Sequence, residues 1–279
     1  MTTQQFLWHG WHWDWFALAI GAAILAGYGG LAGRRPGKEA APGTGRNPRA
    51  WWFWLGLAVL TVALLSPVAI LARMYLFSAH MLQHLLLLLV VPPLLLLSLG
   101  QFKDHRLRPL GGKWGRVLTA VPATWMAGVG AMWLWHVPLL CDAATTQPGI
   151  YRIQVVSLLL LGTLFWLPIA GPRAAQRLSP LAGIVYLVSA CFACTLLGIY
   201  VTFAPVSVCS VYTHPMDPLG VLPLIRSRWG ITAEIDQQLG GLLMWVPACL
   251  IYLSAVLGLL ARWFGEEEAP DTAVARVQQ

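Results

Sequence analysis

The sequence predicts an all-α polytopic membrane protein, a bundle of seven transmembrane helices. The chain has 279 residues, of which 58% are hydrophobic and only 10% are charged. A water-soluble domain cannot bury so much apolar surface. Segments that can cross a bilayer, at about 20 residues each, are residues 14–33, 51–72, 76–99, 115–140, 150–170, 181–204 and 237–262. They form one transmembrane domain, residues 1–265, and leave an acidic cytoplasmic tail, residues 266–279, that is expected to be disordered.

The positions of the basic residues predict how the bundle is oriented. The net charge is +7, and most Lys and Arg residues lie in the tail and in the connections after the first, third and fifth spans. Such connections stay in the cytoplasm, so the N-terminus is predicted outside and the C-terminus inside. Topology thus explains the basic charge without a nucleic-acid partner, and the predicted surroundings are a lipid bilayer.

The segment before the first span combines tryptophan with histidine. Its tryptophans predict an anchor at the outer membrane interface. His9 and His12 lie among them and could also take part in metal capture. The segment lacks the positively charged region of a cleaved signal peptide, so the first span is expected to be retained.

The third span carries the strongest functional signal. His80 and His84 lie one helical turn apart and share a face of the helix. Imidazole is the commonest protein ligand for transition metals, and ionisable residues inside a membrane helix indicate a functional site. The alternative is a hydrogen-bonded pair that holds helices together. Further along, Pro92 and Pro93 predict a kink that neighbouring helices tolerate.

Spans four and six add soft ligands. Span four ends with Met132 and His136 on one face, close to the outer surface. In span six, Cys191 and Cys194 lie near the middle of the membrane on one helical face. That pair would suit Cu(I), but the favoured interpretation is a pair of small buried apolar residues.

The outer connections contribute weaker candidates. Cys209, His214 and Met216 lie between spans six and seven, in a spacing that matches no closed metal motif. Cys141 is also predicted outside, where it could form a disulfide with Cys209 in an oxidising compartment. The sequence alone does not decide this pairing.

Span seven begins with a stripe of Asp236, Gly240 and Met244, four residues apart on one face. Glycine at such a position lets another helix approach closely. Asp236 has two interpretations, support of a metal site and N-cap of a helix.

These residues converge on one predicted site. Six of the seven histidines map to the outer side, and imidazole and thioether donors suit copper, particularly Cu(I), with zinc as an alternative. The candidate ligands are His80, His84, His136, Asp236 and Met244, and, with less support, Met81, Met132, Cys209, His214 and Met216. No hydrolytic triad, phosphate-binding loop or dinucleotide fingerprint is present, so the chain is not expected to be an enzyme.

Four stretches in order give the sequence a family resemblance. They are His80-Met-Leu-Gln-His84 with Pro92-Pro93, Trp135-His136-Val-Pro138, Phe165-Trp166-Leu-Pro168, and Asp236-Gln-Gln-Leu-Gly-Gly-Leu-Leu-Met-Trp-Val-Pro247. The chain resembles the multispan CtaG-type family of cytochrome c oxidase assembly factors associated with caa-type oxidases. The resemblance implies a seven-span bacterial plasma-membrane protein that supplies copper to the haem–copper centre. Its implied partners are an oxidase subunit or a copper chaperone on the outer side.

One departure from the family pattern concerns the fifth span. Family members often carry histidines at its start, whereas this chain has Tyr151-Arg-Ile-Gln154. Copper binding would then use Cys209, His214 or a methionine instead, or would be weaker. The alternatives to copper delivery are a copper permease, a haem-binding protein with His80 or His84 facing His136, and an assembly scaffold without metal.

Overall fold

The computed structural model describes residues 2–33, 49–100, 102, 117, 119–204 and 207–277, and of residues 33, 175 and 266–277 the backbone alone. All regular structure in these ranges is helical. The helices are α1 (Thr3–His9), α2 (Trp15–Gly33), α3 (Ala50–Leu65), α4 (Pro67–Met74), α5 (Phe77–Leu85), α6 (Val91–Leu99), α7 (Val121–Trp135), α8 (Pro138–Thr146), α9 (Pro148–Ala170), α10 (Pro180–Phe203) and α11 (Ala233–Val277). A π-helical segment, Leu86–Val90, joins α5 to α6, and short 3-10 or π turns occupy Ala174–Gln176, Ser210–Tyr212 and Leu224–Arg228.

Five stretches of the described chain are long and apolar enough to cross a membrane. They are Trp15–Ala32, Phe77–Leu99, Pro148–Ala170, Pro180–Phe203 and Ala233–Gly265, and the bent pair α3 and α4 would make a sixth. These stretches correspond to six of the seven predicted spans. A multi-pass helical membrane protein is thereby supported, while the count of seven, the orientation and the division at residue 265 stay predictions.

The fourth predicted span, residues 115–140, differs from a continuous membrane helix. Its main helix is α7, which has only 15 residues, and residues 115, 116 and 118 lie outside the described ranges. The helix ends at Trp135 with His136 as its C-cap, and Pro138 starts α8 after a turn. Proline has no amide hydrogen, so it is tolerated at the first position of a helix and disfavoured in its interior. The break places the His136 ring at a helix end.

The second predicted span is broken at Ser66. The Ser66 hydroxyl caps the next helix by accepting from the Val68 amide at 3.2 Å, and α3 and α4 bend by 47° at this point. The N-terminal segment packs across the break: the His12 amide donates to the Leu65 carbonyl at 3.0 Å, and Phe6 is buried. His9 and His12 therefore belong to a segment that is held against the bundle.

The helix that carries the histidine pair lies at the centre of the bundle. In Phe77–Leu99, 56% of the span is buried, compared with 6% in Trp15–Ala32. The π-helical segment precedes Pro92, which cannot donate to the Leu88 carbonyl. Gly162 of α9 packs against that carbonyl, since a Cβ there would lie 2.6 Å from the oxygen. Close packing of α9 thus accommodates the irregular turn.

Two adjacent glycines let α11 contact two helices at once. A Cβ on Gly240 would lie 2.5 Å from the Phe77 ring of α5, and one on Gly241 would lie 2.6 Å from the Thr202 amide nitrogen of α10. Small residues permit such approaches between membrane helices. The close contact with α5 brings the start of α11 beside the histidine pair.

Candidate functional site

Three imidazoles meet inside the bundle at one end, which we call the histidine end. His80, His84 and His136 are each at most 3% exposed. The ring centroids of His80 and His84 are 4.4 Å apart, and those of His84 and His136 are 5.3 Å apart. The helical spacing in α5 supplies the first contact, and the end of α7 supplies the second. These three residues form the histidine cluster.

His136 has one ring nitrogen fixed by the backbone. Its Nδ1 lies 2.5 Å from the Met132 carbonyl oxygen. A carbonyl only accepts hydrogen bonds, so Nδ1 carries the proton and Nε2 presents a lone pair. That Nε2 lies 2.9 Å from the Met81 sulfur, which is also a lone-pair donor. Metal-binding histidines characteristically hold their second nitrogen on a carbonyl in this way.

The other two histidines have buried nitrogens without partners. His80 Nε2 lies 3.4 Å from the Gln154 amide nitrogen. His80 Nδ1 and both nitrogens of His84 have no hydrogen-bond partner among the described residues. Buried polar atoms are normally paired, and an orphaned one calls for an explanation such as a bound ion.

Asp236 belongs to α11, but its side chain caps the start of α5. Its carboxylate accepts from the Phe77 amide at 2.7 Å, the Ser78 amide at 3.0 Å and the Ser78 hydroxyl at 2.5 Å. These donors begin α5, so Asp236 satisfies amides that a helix start leaves open. Thr232 caps α11 itself, accepting from the Ile235 amide at 3.2 Å. The carboxylate thus fixes the helix that carries His80 and His84.

A family model described as cytochrome c oxidase caa3 assembly factor matches residues 25–266. The chain belongs to this family. The match confirms the resemblance inferred from the motifs, all of which lie inside the matched residues. No curated protein and no solved structure matches the chain.

Polar residues of the fifth predicted span face the histidine helix. Gln154 contacts His80, and the Tyr151 hydroxyl accepts from the Gln83 amide at 3.0 Å. Gln83 also donates to the Ala63 carbonyl at 2.8 Å. The sequence analysis assigned no role to Gln83, Tyr151 and Gln154. The sequence does contain an indication of one, because each of these residues places a hydrogen-bonding group in an apolar segment. Tyr151 and Gln154 also share a helical face.

The structure places some of the methionine candidates at the histidine cluster and others away from it. Met81 joins the histidine cluster through its sulfur, whereas Met132 joins through its backbone carbonyl. Met244 is buried in the same apolar core, on the turn of α11 that follows Gly240. Met216 is 86% exposed. Thioether participation is therefore most direct for Met81.

The remaining outer candidates lie apart from the cluster. Cys209 is bonded to Cys141, with their Cα atoms 5.7 Å apart, so its sulfur is not a thiolate ligand. His214 is exposed on the same connection. The connection contributes Tyr212, whose ring centroid lies 6.0 Å from that of His80. Burial holds the pKa of Tyr212 well above its usual range, so this phenol stays protonated beside the cluster.

The cysteines of α10 contact residues of α11 and do not belong to the histidine cluster. Cys191 Sγ lies 2.7 Å from Cys249 Sγ, and Cys194 Sγ lies 3.5 Å from the Tyr252 hydroxyl. Sequence reasoning paired Cys191 with Cys194 and missed Cys249. The two helices bring Cys191 and Cys249 together, a contact that the spacing within one helix cannot indicate.

His9 and His12 line a cavity of about 650 Å³ beside the break in the second span. Met74, Arg73 and Tyr151 also line it, and Tyr151 connects it to Gln83 of the histidine helix. These two histidines therefore share a cavity with Tyr151, but they do not belong to the histidine cluster.

A metal at the cluster would need more than imidazole and carboxylate. Within the described residues, no three His, Cys, Asp or Glu side chains are placed so that they could hold a metal ion. Asp236 is occupied by its three donors. The Gln154 amide nitrogen only donates, so His80 Nε2 accepts and His80 Nδ1 carries the proton. The fitting donors are one nitrogen of His84, Nε2 of His136 and the Met81 sulfur, a set that suits a soft ion.

Proposed function

We propose that this protein supports assembly of a caa3-type oxidase by binding Cu(I) at the histidine cluster and passing it on. His84, His136 and Met81 would hold the ion, and His80 would bind through Nε2 on release from Gln154. The recipient would be an oxidase subunit, and the donor a copper chaperone at the outer face of the bacterial plasma membrane. Membership of an assembly-factor family favours this non-catalytic role.

The observation that carries the proposal is the set of unpartnered imidazole nitrogens. Both His84 nitrogens and His80 Nδ1 are buried without a partner in the described chain, at a cost of about 1–3 kcal/mol for each polar group. A pair of histidines that merely held helices together would be hydrogen-bonded. A cation bound by the one His84 nitrogen that carries a lone pair would remove part of this cost, while the other nitrogen of the ring keeps its proton.

The lone pairs of His136 Nε2 and Met81 Sδ favour the same ion. They face each other at 2.9 Å, and a hydrogen bond between them is not available while Nδ1 holds the proton. Thioether sulfur selects Cu(I) over Mg²⁺ and Ca²⁺. A mixed imidazole and thioether site also releases its ion more readily than a closed four-ligand site, as delivery requires.

We favour copper over a haem between the histidines. The His84 and His136 ring centroids lie only 5.3 Å apart in a fully buried cluster, whereas axial ligation would place a macrocycle between two imidazoles. We expect no Soret band in the purified protein, and its presence without added metal would contradict the copper proposal.

The test measures Cu(I) binding by competition with a chromogenic chelator and oxidase activity in the native host. The double variant His80→Ala/His84→Ala should lower Cu(I) affinity by at least about tenfold and reduce oxidase activity, with partial rescue by added copper. Loss of activity through a structural fault would not respond to copper.

His214→Ala is the matched control, because it removes an exposed histidine from the same end of the molecule. Its Cu(I) affinity and oxidase activity should equal those of the unaltered protein. Normal affinity in the His80→Ala/His84→Ala variant would remove the cluster from the mechanism.

A further inference from the structure

The cavity of about 650 Å³ beside the break in the second span has an apolar wall as well as polar groups. Phe6, Leu64 and Ile70 belong to the apolar wall. The volume lies in the range of about 300–1,000 Å³ that small-molecule sites occupy. Since the lining combines the N-terminal segment with α3 and α4, an occupant would contact all three.

The Tyr151 hydroxyl has a hydrogen that the described chain does not use. This side chain lines the cavity and is 6% exposed. The Gln83 amide nitrogen donates to both the Ala63 carbonyl and the Tyr151 oxygen, so the hydroxyl is the acceptor in this contact. Its own hydrogen has no acceptor among the described residues. Buried polar groups are normally paired, and the cavity is the available place for an acceptor.

Arg73 adds a positive charge beside Tyr151. Its guanidinium carbon lies 5.1 Å from the centroid of the Tyr151 ring, and its side chain lines the same cavity. Arg73 forms no hydrogen bond or ion pair with any described residue. The fork of N–H donors on a guanidinium matches a carboxylate. His9 and His12 are on the lining too, and even a neutral imidazole has one N–H to donate.

Asp14 contributes a carboxylate to the lining, but its charge is balanced at the start of α2. The carboxylate accepts from the Phe16 amide at 2.9 Å and so caps this helix. Arg152 lies at the same helix start, 5.7 Å from the centroid of the Phe16 ring. Arg73 is therefore left as the charge that attracts an anion into the cavity.

We propose that the cavity binds one carboxylate with an apolar chain, a free fatty acid of the surrounding bilayer. The carboxylate contacts Arg73 and Tyr151, and the chain lies against the apolar wall. Trp11 is part of the lining, and tryptophan marks the membrane interface, where the carboxylate of a fatty acid lies. A dianionic phosphate is disfavoured, because a single positive charge is left unbalanced. The site shares no residue with the histidine cluster and does not depend on copper.

Equilibrium dialysis of radiolabelled decanoate against the full-length protein in lipid nanodiscs measures this binding, with empty nanodiscs as the blank. The unaltered protein should bind one decanoate above the blank. Decanol keeps the apolar chain and acetate keeps the charge, and each should compete at least about tenfold less well than unlabelled decanoate. Equal competition by decanol or by acetate would overturn the proposal.

The polar contacts are tested by substitution. Arg73→Gln should weaken decanoate binding by at least about tenfold, and Tyr151→Phe, which removes only the hydroxyl, by about fivefold. Arg228→Gln is the matched control, because it removes an exposed positive charge that does not line the cavity, and it should bind decanoate like the unaltered protein. Unchanged affinity in both Arg73→Gln and Tyr151→Phe would contradict the assigned contacts and overturn the proposal.

Filling the cavity tests its apolar part. Thr145 lines the cavity, whereas Thr146, the next residue, is exposed and does not. Thr145→Trp should abolish decanoate binding, and Thr146→Trp should keep it. Full binding in Thr145→Trp would place the ligand elsewhere and exclude the cavity as its site.

Discussion

Buried polar side chains at the histidine end differ in how completely they are hydrogen-bonded. The Asp236 carboxylate accepts from three donors of Phe77 and Ser78, and nothing remains to be explained about its burial. His84 has neither nitrogen paired within the described chain. The first arrangement is structural, and the second is the one on which the copper proposal depends.

Asp236→Ala is expected to destabilise the protein by about 2 kcal/mol, because it leaves the first amides of α5 buried and unsatisfied. Asp236→Asn should cost less, since its amide oxygen still accepts. Thermal unfolding in detergent measures both variants. Glu234→Ala, which removes an exposed carboxylate from the same turn of α11, should leave the transition unchanged. An Asp236→Ala protein as stable as the Glu234→Ala protein would contradict the capping role.

The sequence predicted the position of Asp236 better than its role. The stripe with Gly240 correctly indicated a face turned toward another helix. The donors, however, lie 158 and 159 residues away in sequence, and no local pattern reveals such partners. The histidines of the cluster were predicted from their residue type and position. The contact between Gln154 and His80 was not predicted, because it also joins residues that are distant in sequence.

Helix packing around α5 depends on the glycine pair of α11. Gly240 faces the Phe77 ring and Met81, and Gly241 faces α10. The wide, two-sided contact keeps the start of α11 against the histidine helix. Displacement of α11 would therefore move the Asp236 carboxylate away from the amides that it caps.

Gly240→Ala is expected to lower both the unfolding temperature and the Cu(I) affinity, because the added Cβ would lie 2.5 Å from a buried phenyl ring. Overpacking of this kind costs about 1–3 kcal/mol. Phe77→Leu in the same chain should restore part of the stability. Gly265→Ala, with open space around the new carbon, is the control for helix propensity, and an equal effect of both substitutions would exclude the packing explanation.

Element boundaries were predicted well where the apolar segment is uninterrupted. Spans one, three, five, six and seven correspond to long helices. The bends at Ser66 and His136 were missed, because hydropathy averages over about 20 residues and does not register a local cap or a proline at a helix start. The helix end at His136 belongs to the candidate site.

The whole molecule has two chemically different ends. One end holds the histidine cluster and the Cys141–Cys209 disulfide, which belongs to an oxidising compartment. The other carries Arg177 and Arg262. This distribution agrees with the predicted orientation, which places the histidine end outside the cell.

Labelling of introduced cysteines tests this orientation in intact cells. Met216→Cys, at the exposed tip of the histidine end, should react with a membrane-impermeant maleimide. Ala174→Cys, exposed in the connection between α9 and α10, should react only after the membrane is permeabilised. The reverse pattern would place the histidine cluster toward the cytoplasm and exclude delivery from the outside.

The π-helical segment Leu86–Val90 also affects any redesign of this helix. One residue more than an α-helical turn shifts the rotational phase of everything that follows by about 100°. Counting three or four residues onward from His84 therefore gives the wrong face beyond Leu86. A designer who extends the proposed metal site toward the membrane centre must correct the count by one position, or the new ligand will point into lipid or a neighbouring helix.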